Sequence, residues 1–276
     1  MADFEFIEFY PDTWHQAQGL ASQLSGWAFR GQRFSEWGLE TSLERAFKHM
    51  GTTDSIEQIE IKILDRFMRR AHHYITALPS PTDTLEWLSL IQHHGGPTRL
   101  LDFTRSFYVA AFFAVEQAES VSAIWCLNLN KLRASSNDLI ASSKIDENQA
   151  TNIYNMLITG KLDTPLVIHA EPYRLSERLI AQQGLFVAPC SLKTRMVNCL
   201  FGTLDNATPH PIVSLTEYEI AHLQLGTFPQ VGRVVKIHLP RNIHPEVRRN
   251  LRSMNIDAAN LFPGLDGFTR SLFWPD

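Results

Sequence analysis

One short stretch of the chain concentrates polar side chains that could bind or transform a ligand. Residues 92–104 read QHHGGPTRLLDFT and lie between two segments of strongly apolar helical pattern. Because burying a charge is costly without a partner, we expect Arg99 and Asp102 to help neutralise each other. The glycines and proline at 95–97 predict a tight turn at which backbone can approach a ligand. A polar network that merely fixes a loop would use the same residue types, but the density of the cluster favours a binding site.

Four segments of the chain resemble the FRG family, which is named after a Phe-Arg-Gly motif. Residues 27–32 read WAFRGQ, and residues 86–115 contain the QHHG-PTRLLD-(W/F)-T signature followed by a VA-x-x-FA helix. Residues 178–186 match an R-x-x-x-QQG-x-F element, and residues 261–267 read LFPGLDG. This resemblance extends from about residue 25 to the C-terminus. It implies that Arg30, the 92–104 segment and Gln183 line one ligand pocket.

The same segments also resemble, more weakly, the motifs of ADP-ribosyltransferases. In that fold a strand with aromatic-Arg-Gly is followed by a strand with a hydroxyl residue and an A-x-x-F-A helix, and then by a strand bearing Glu or Gln. The order recurs here at 29–31, 102–114 and 182–184. The resemblance implies that NAD is the ligand and that the catalytic residues are Arg30, Thr104 and Gln183. The residues implied to contact NAD are Arg30, Gly31, Gln32, His93, His94, Arg99, Asp102 and Phe112.

The chemistry of NAD cleavage suits these residue types in all but one place. An arginine at a strand end can hold a phosphate bidentately, and a hydroxyl such as that of Thr104 can orient the arginine or the ribose. A carboxylate normally stabilises the positive charge that develops on the ribose. Gln183 is neutral and would stabilise that charge less.

Two other classes of function stay open. One is a nucleotide- or nucleic-acid-binding module without turnover, for which the basic residues at 62–70 would offer a patch if they are more than a solvated helix face. The other is a metal-independent nuclease that uses His93 or His94 as a general base. Adjacent residues point in different directions on a helix, so both histidines cannot face one site without a distorted turn. No metal-ligand spacing occurs, and we predict no metal.

The composition bounds the protein class. The chain has 276 residues, a net charge of -4 and a pI near 6.3, so it is not a basic nucleic-acid binder as a whole. Three cysteines without CxxC spacing favour buried thiols in a reducing compartment, and the acidic N-terminus is not a signal peptide. The longest apolar run, 108–115, is too short to span a bilayer. We expect a cytoplasmic protein of bacterial type. The resemblance to ADP-ribosyltransferases implies a nucleotide ligand and a nucleic-acid or protein substrate.

The elements that must position the site predict an α+β fold. Strands and helices intermix without regular βαβ alternation, which favours an α+β fold over a doubly wound sheet. The resemblance to ADP-ribosyltransferases implies a central mixed or antiparallel sheet flanked by helices. We expect a strand and a helix in residues 1–24, followed by an FRG domain over 25–276 with a polar insertion around 134–160. Capping is assigned to Asp12 and Asp54. Phe112, Phe113 and the apolar face of the helix from Ile56 to Ile75 are expected in the core.

Overall fold

A single mixed sheet organises the molecule. The computed structural model describes residues 6–142, 165–204 and 234–273 of the chain. Within these ranges the strands are β1 (Ile7–Phe9), β2 (Trp27–Gln32), β3 (Leu101–Thr104), β4 (Ser122–Asn128), β5 (Val167–Ala170), β6 (Gly184–Pro189) and β7 (Val234–Leu239). Their spatial order is β1-β7-β4-β2-β3-β6-β5. The pair β1–β7 is parallel and every other pair is antiparallel. The predicted α+β class with a mixed sheet and flanking helices is confirmed.

Helices flank this sheet. In chain order they are α1 (Trp14–Ala21), α2 (Ser42–His49), α3 (Ile56–Ala71), α4 (Thr84–His93), α5 (Phe107–Val115), α6 (Leu129–Ser142), α7 (Glu177–Ala181), α8 (Met196–Thr203), α9 (His244–Ser253), α10 (Ala258–Leu261) and α11 (Leu265–Ser271). A short 3₁₀ turn, Arg241–Ile243, precedes α9. Residues 143–160 of the predicted polar insertion lie outside the described residues. The start of the predicted polar insertion is the last part of α6.

Two helix starts lie one residue later than predicted. Thr13 rather than Asp12 caps α1, and Ser55 rather than Asp54 caps α3. Each cap has a glutamine three residues on whose side chain accepts from the backbone N–H of the cap, which completes a capping box. Asp54 instead binds the Lys62 ammonium group. The reciprocal hydrogen bonds of the capping box therefore decide the boundary.

The N-terminal strand and helix belong to the same sheet and core as the rest of the described chain. β1 pairs with β7 at the edge of the sheet. Trp14 of α1 is 1% exposed and its ring stacks on Phe107 of α5 at 5.3 Å. Apolar side chains of α1, β2, β4, β7, α5 and α9 form one continuous cluster.

The α5 helix is buried on almost every side, as its sequence predicts. Phe112 is completely buried, but Phe113 is only partly buried and packs at the margin of the core. The prediction of a core position is therefore wrong for Phe113, which lies one residue, about 100° of helix rotation, away from the buried face.

The α3 helix is less buried than its periodicity predicts. Apart from the buried Ala71, the apolar face that was predicted to lie in the core is half-buried. Glu60 is the other buried residue of the helix. The helix packs against α2 and α4, and the prediction that its apolar face lies in the core is wrong for all of its positions but Ala71.

Gly31 allows α5 to lie directly on β2. A Cβ atom at this position would come 1.9 Å from the carbonyl oxygen of Ala110 and 2.6 Å from the amide nitrogen of Ala114. Both are backbone atoms of α5, which cannot swing aside as a flexible side chain would.

Gly31→Ala should therefore destabilise the protein by more than about 2 kcal/mol, in the range of overpacked cores. Gly19→Ala is the matched control, since a Cβ in α1 at Gly19 meets nothing within 4 Å. That change should leave stability unchanged or raise it by up to about 1 kcal/mol through helix propensity. Urea denaturation measures both variants, and equal stability of the two would contradict the packing described here.

The cysteines are buried thiols, as predicted. Cys126, Cys190 and Cys199 are all free. Burial raises the pKa of the Cys190 thiol to about 12 and that of Cys199 to about 11.

Within the described ranges, every helix is too short or too polar to cross a membrane.

Candidate functional site

A cleft of about 750 Å³ opens where β2 and β3 lie side by side at the centre of the sheet. β2 and β3 form its floor, with Phe29 and Phe103 among the apolar groups. The loop 33–40 and α2, through Arg45 and Lys48, form one part of the lining. The rest of the lining comes from the end of α5, from α7 and the turn after it, from the start of α8 and from α11. Segments far apart in the chain thus converge on one space.

The cleft is strongly basic, although the chain as a whole is acidic. Seven cationic side chains line it against four carboxylates, an excess of three positive charges. The cations are Arg30, Arg33, Arg45, Lys48, Arg178, Arg195 and Arg270. The carboxylates are Glu36, Glu40, Asp102 and Glu116. A concave surface with this balance concentrates anions from solution.

Arg30 lies at the bottom of the cleft, near the end of β2. Its Nη1 donates to the Asp102 carbonyl oxygen at 2.7 Å and lies 3.8 Å from the Asp102 carboxylate. Its Nε is buried without a hydrogen-bond partner among the described residues. Burial lowers the pKa of Arg30, although a guanidinium stays charged at any ordinary pH. Arg30 is therefore a fixed cation with unused donor capacity.

Asp102 forms its hydrogen bonds and ion pair with partners other than the one predicted. Its carboxylate accepts from Gln92 Nε2 at 2.8 Å and faces Arg30. The Asp102 side chain is 54% exposed and borders the cleft. The predicted neutralisation of Arg99 by Asp102 is wrong, because Arg99 pairs with Glu60 whereas the Asp102 carboxylate faces Arg30 and Gln92.

Arg99 is a structural residue rather than a lining residue of the cleft. Its side chain is 4% exposed and forms a bidentate ion pair with Glu60 of α3. Its Nη1 also donates to the carbonyl oxygens of Pro189 and Cys190. All its donors point into the protein, so the predicted contact of Arg99 with a ligand has no place in this arrangement.

The contacts of Thr104, Gln182 and Gln183 also differ from the prediction. The Thr104 hydroxyl donates to the backbone oxygen of Gln182 at 2.6 Å and accepts from the Ser106 amide, so it positions backbone. Gln182 lines the cleft, and its Nε2 donates to the Leu261 carbonyl oxygen. Gln183 has a φ of 47° and an exposed side chain outside the cleft lining. The turn before β6 thus presents the first glutamine rather than the second.

Three other predicted contact residues lie outside the cleft lining. Phe112 is fully buried and Phe113 takes the lining position instead. His93 is half-buried at the end of α4 and His94 is exposed, and neither lines the cleft. Burial, with smaller effects of His94 and Arg178, lowers the pKa of His93 and favours its neutral form. Neither histidine is among the residues that line the cleft, so this geometry does not support their predicted roles in ligand contact.

Gly31 and Gln32, which were predicted to contact NAD, border the cleft, and both also stabilise the fold around it. Gly31 admits α5, as described above. The Gln32 amide donates to the Gly38 carbonyl oxygen at 3.0 Å and accepts from Trp125 Nε1 at 2.9 Å. Gln32 therefore holds the loop 33–40 against the sheet.

Of the seven cations that line the cleft, only Arg30 was predicted from the sequence to contact a ligand. The Phe262 ring centroid lies 4.7 Å from the guanidinium group of Arg178 and 4.3 Å from that of Arg270. Arg270 also forms an ion pair with Glu116, whereas Arg178 has no ion pair within the described ranges. A Cβ at Gly267 would come 1.8 Å from the Phe262 carbonyl oxygen. Through Phe262 the LFPGLDG segment contacts both arginines, although its own residues are not among those that line the cleft.

Residues 25–123 match the family model of the FRG domain. The chain contains an FRG domain. This match covers β2, the loop 33–40, α2 and β3, and hence Arg30, Asp102 and Thr104. The rest of the cleft wall, from Arg178 to Arg270, comes from outside the matched FRG segment.

The other two comparisons add no relative. No curated protein matches the chain significantly, and no solved structure does. The likeness of this FRG-domain chain to the ADP-ribosyltransferase fold therefore stays a prediction.

Proposed function

We propose that this FRG-domain protein binds a phosphate-bearing nucleotide in the basic cleft, and that NAD is the ligand to test first. The observation that supports this most strongly is the excess of three positive charges around Arg30 in a chain of net charge -4. Guanidinium groups match the geometry of phosphate oxygens, and several of them at fixed positions suit a diphosphate.

The cleft fits a ligand of this size and charge. Its volume of about 750 Å³ lies within the range of small-molecule pockets. Arg30, whose side chain is 18% exposed, would hold a phosphate oxygen. Arg178 is oriented by stacking on Phe262 and would hold a second phosphate group. Phe113, which is partly buried and lines the cleft, would contact an uncharged ring.

The competing functions have less support. A nuclease with a histidine general base needs a histidine in the cleft, and neither His93 nor His94 lines it. For a nucleic-acid patch on α3, only two of its four cations are ion-paired with carboxylates in the described part of the chain. Lys62 pairs with Asp54 and Arg69 pairs with Asp65, as expected of a solvated helix face.

ADP-ribosyl transfer to a nucleic acid or a protein is a second candidate function. NAD, when bound, supplies an ADP-ribosyl group whose bond to nicotinamide can break. Both glutamines before β6 are neutral, but the Asp102 carboxylate borders the cleft beside Arg30. A fixed carboxylate is the group that stabilises developing positive charge. We assign this role to Asp102 rather than to Gln183.

A titration with NAD and ADP-ribose tests both candidates. At saturating ligand the melting temperature should rise by several degrees, since ligand at a hundredfold excess over Kd stabilises by about 2.7 kcal/mol. No shift with either compound would contradict nucleotide binding.

Nicotinamide release, measured with and without cell RNA, DNA and protein, separates the two functions. Release would support transfer, and Asp102→Asn should then abolish release while retaining binding. Binding without release under all conditions would leave a binding module.

A further inference from the structure

The loop 33–40 presents a tryptophan to the cleft. Trp37 is 44% exposed and lines the cavity. Trp14, Trp27, Trp87 and Trp125 are each at most 3% exposed. Leaving a large indole in contact with water costs free energy that folding normally recovers by burial. Its position on a cavity wall makes a ligand the natural partner of this ring.

The indole is held in place rather than hanging from a loose loop. The Ser35 amide donates to the Val121 carbonyl oxygen at 2.9 Å, and Gln32 donates to the Gly38 carbonyl oxygen. The Phe34 ring meets the Trp37 ring edge-on, with centroids 4.9 Å apart. A ring fixed in this way loses little conformational entropy when a planar group stacks on it.

A cation accompanies the two rings. The Arg33 guanidinium lies 5.1 Å from the Phe34 centroid and 5.3 Å from the Trp37 centroid, and it donates to Gln117 across the cleft. We call Arg33, Phe34 and Trp37 the aromatic shelf. The shelf combines a π surface with positive charge, which suits a base that carries a phosphate on the same molecule.

We propose that the aromatic shelf stacks the base of the bound nucleotide, so that the cleft selects nucleotides over sugar phosphates. This inference rests on the proposed nucleotide binding. Arg33 and Trp37 of the shelf line the same cavity as Arg30, so one ligand can reach both. Trp37 is then a residue that determines specificity, whereas Arg30 supplies charge to any phosphate.

AMP and ribose 5-phosphate form a matched pair of probes, because they differ only in the base. Calorimetric titration of the wild-type protein should give tighter binding of AMP. Trp37→Ala should weaken AMP binding about tenfold, as expected for the loss of one stacked base. The same variant should leave ribose 5-phosphate binding unchanged. Trp37→Phe, which keeps an aromatic face, should retain most of the AMP affinity.

Two controls make the result specific. Tyr173→Ala removes an aromatic ring that is 92% exposed and lies outside the cleft lining, and it should leave both affinities unchanged. AMP should also quench tryptophan fluorescence in the wild-type protein but much less in Trp37→Phe.

The outcomes separate the two proposals. Unchanged AMP affinity in Trp37→Ala, or an equal loss for AMP and ribose 5-phosphate, would overturn the shelf while nucleotide binding stands. Equal affinity of the wild-type protein for the two probes would also overturn it. If the wild-type protein binds neither probe, nor NAD, the proposed function and the shelf both fail.

Discussion

Arg30→Ala should lower the affinity for NAD or ADP-ribose by about 10- to 100-fold, the range expected when charge-assisted hydrogen bonds to a phosphate are lost. Arg30 is the cation at the floor of the cleft, and its side chain retains donors that no described residue uses. Calorimetric titration measures the effect. The melting temperature without ligand should change little, because Arg30 makes one recorded hydrogen bond and one long ion pair.

Two further variants separate geometry from charge. Arg30→Lys keeps the positive charge but loses the planar fork, so it should recover only part of the affinity. Arg66→Ala removes the same charge from the exposed face of α3 and should leave binding unchanged. A stable Arg30→Ala protein with wild-type affinity for both nucleotides would remove Arg30 from the binding site.

Arg99→Met should destabilise the protein by about 3–5 kcal/mol, because it leaves the Glu60 carboxylate buried without its partner. Arg99 is 4% exposed, and its guanidinium joins α3 to the end of β6 through Glu60, Pro189 and Cys190. For a chain of this size the melting temperature should fall by about 6 °C or more. Thermal and urea denaturation measure the change.

The same helix offers a matched control for this ion pair. Arg69 and Asp65 pair on the solvent side of α3 with side chains 76% and 57% exposed. Arg69→Ala should cost less than about 1 kcal/mol. The double variant Glu60→Met, Arg99→Met should be more stable than Arg99→Met alone, since no charge is then left buried. A loss in Arg99→Met no larger than that in Arg69→Ala would refute the structural role of the buried pair.

Local patterns in the sequence determined much of the fold. The apolar stretch at 107–115 has to be a buried helix, because few of its faces could meet water. The order of strands and helices, their mixed α+β character and the FRG signature follow from residues that are neighbours in the chain. The signature also implied that Arg30, Thr104 and Gln183 surround one cleft with Arg99 and Asp102 close by. Arg30, Asp102 and Thr104 border one cleft, whereas Gln183 and Arg99 do not.

The tertiary structure alone decided which side chains form pairs and which face the cleft. Arg99 takes Glu60, 39 positions earlier in the chain, rather than the nearby Asp102. The periodicity of the sequence cannot predict whether Arg99 pairs with Glu60 or with Asp102, because only folding fixes the distances between these side chains. Glu60 gave no sign of this role, since a glutamate within a helix is usually solvated.

Single-residue rotations account for the other differences. Phe113 faces the cleft instead of Phe112, and Gln182 instead of Gln183. Neighbouring residues of a helix point in different directions, and the left-handed backbone conformation at Gln183 likewise changes the direction of its side chain. Arg178, Arg270 and Trp37 reach the cleft only because the last part of the chain and the loop 33–40 fold next to β2 and β3. Their place in the site could therefore not be predicted from the sequence. The positive charge of the cleft arises because folding brings distant cationic side chains together. The net charge of -4 is a sum over the whole chain and does not reveal such a local excess.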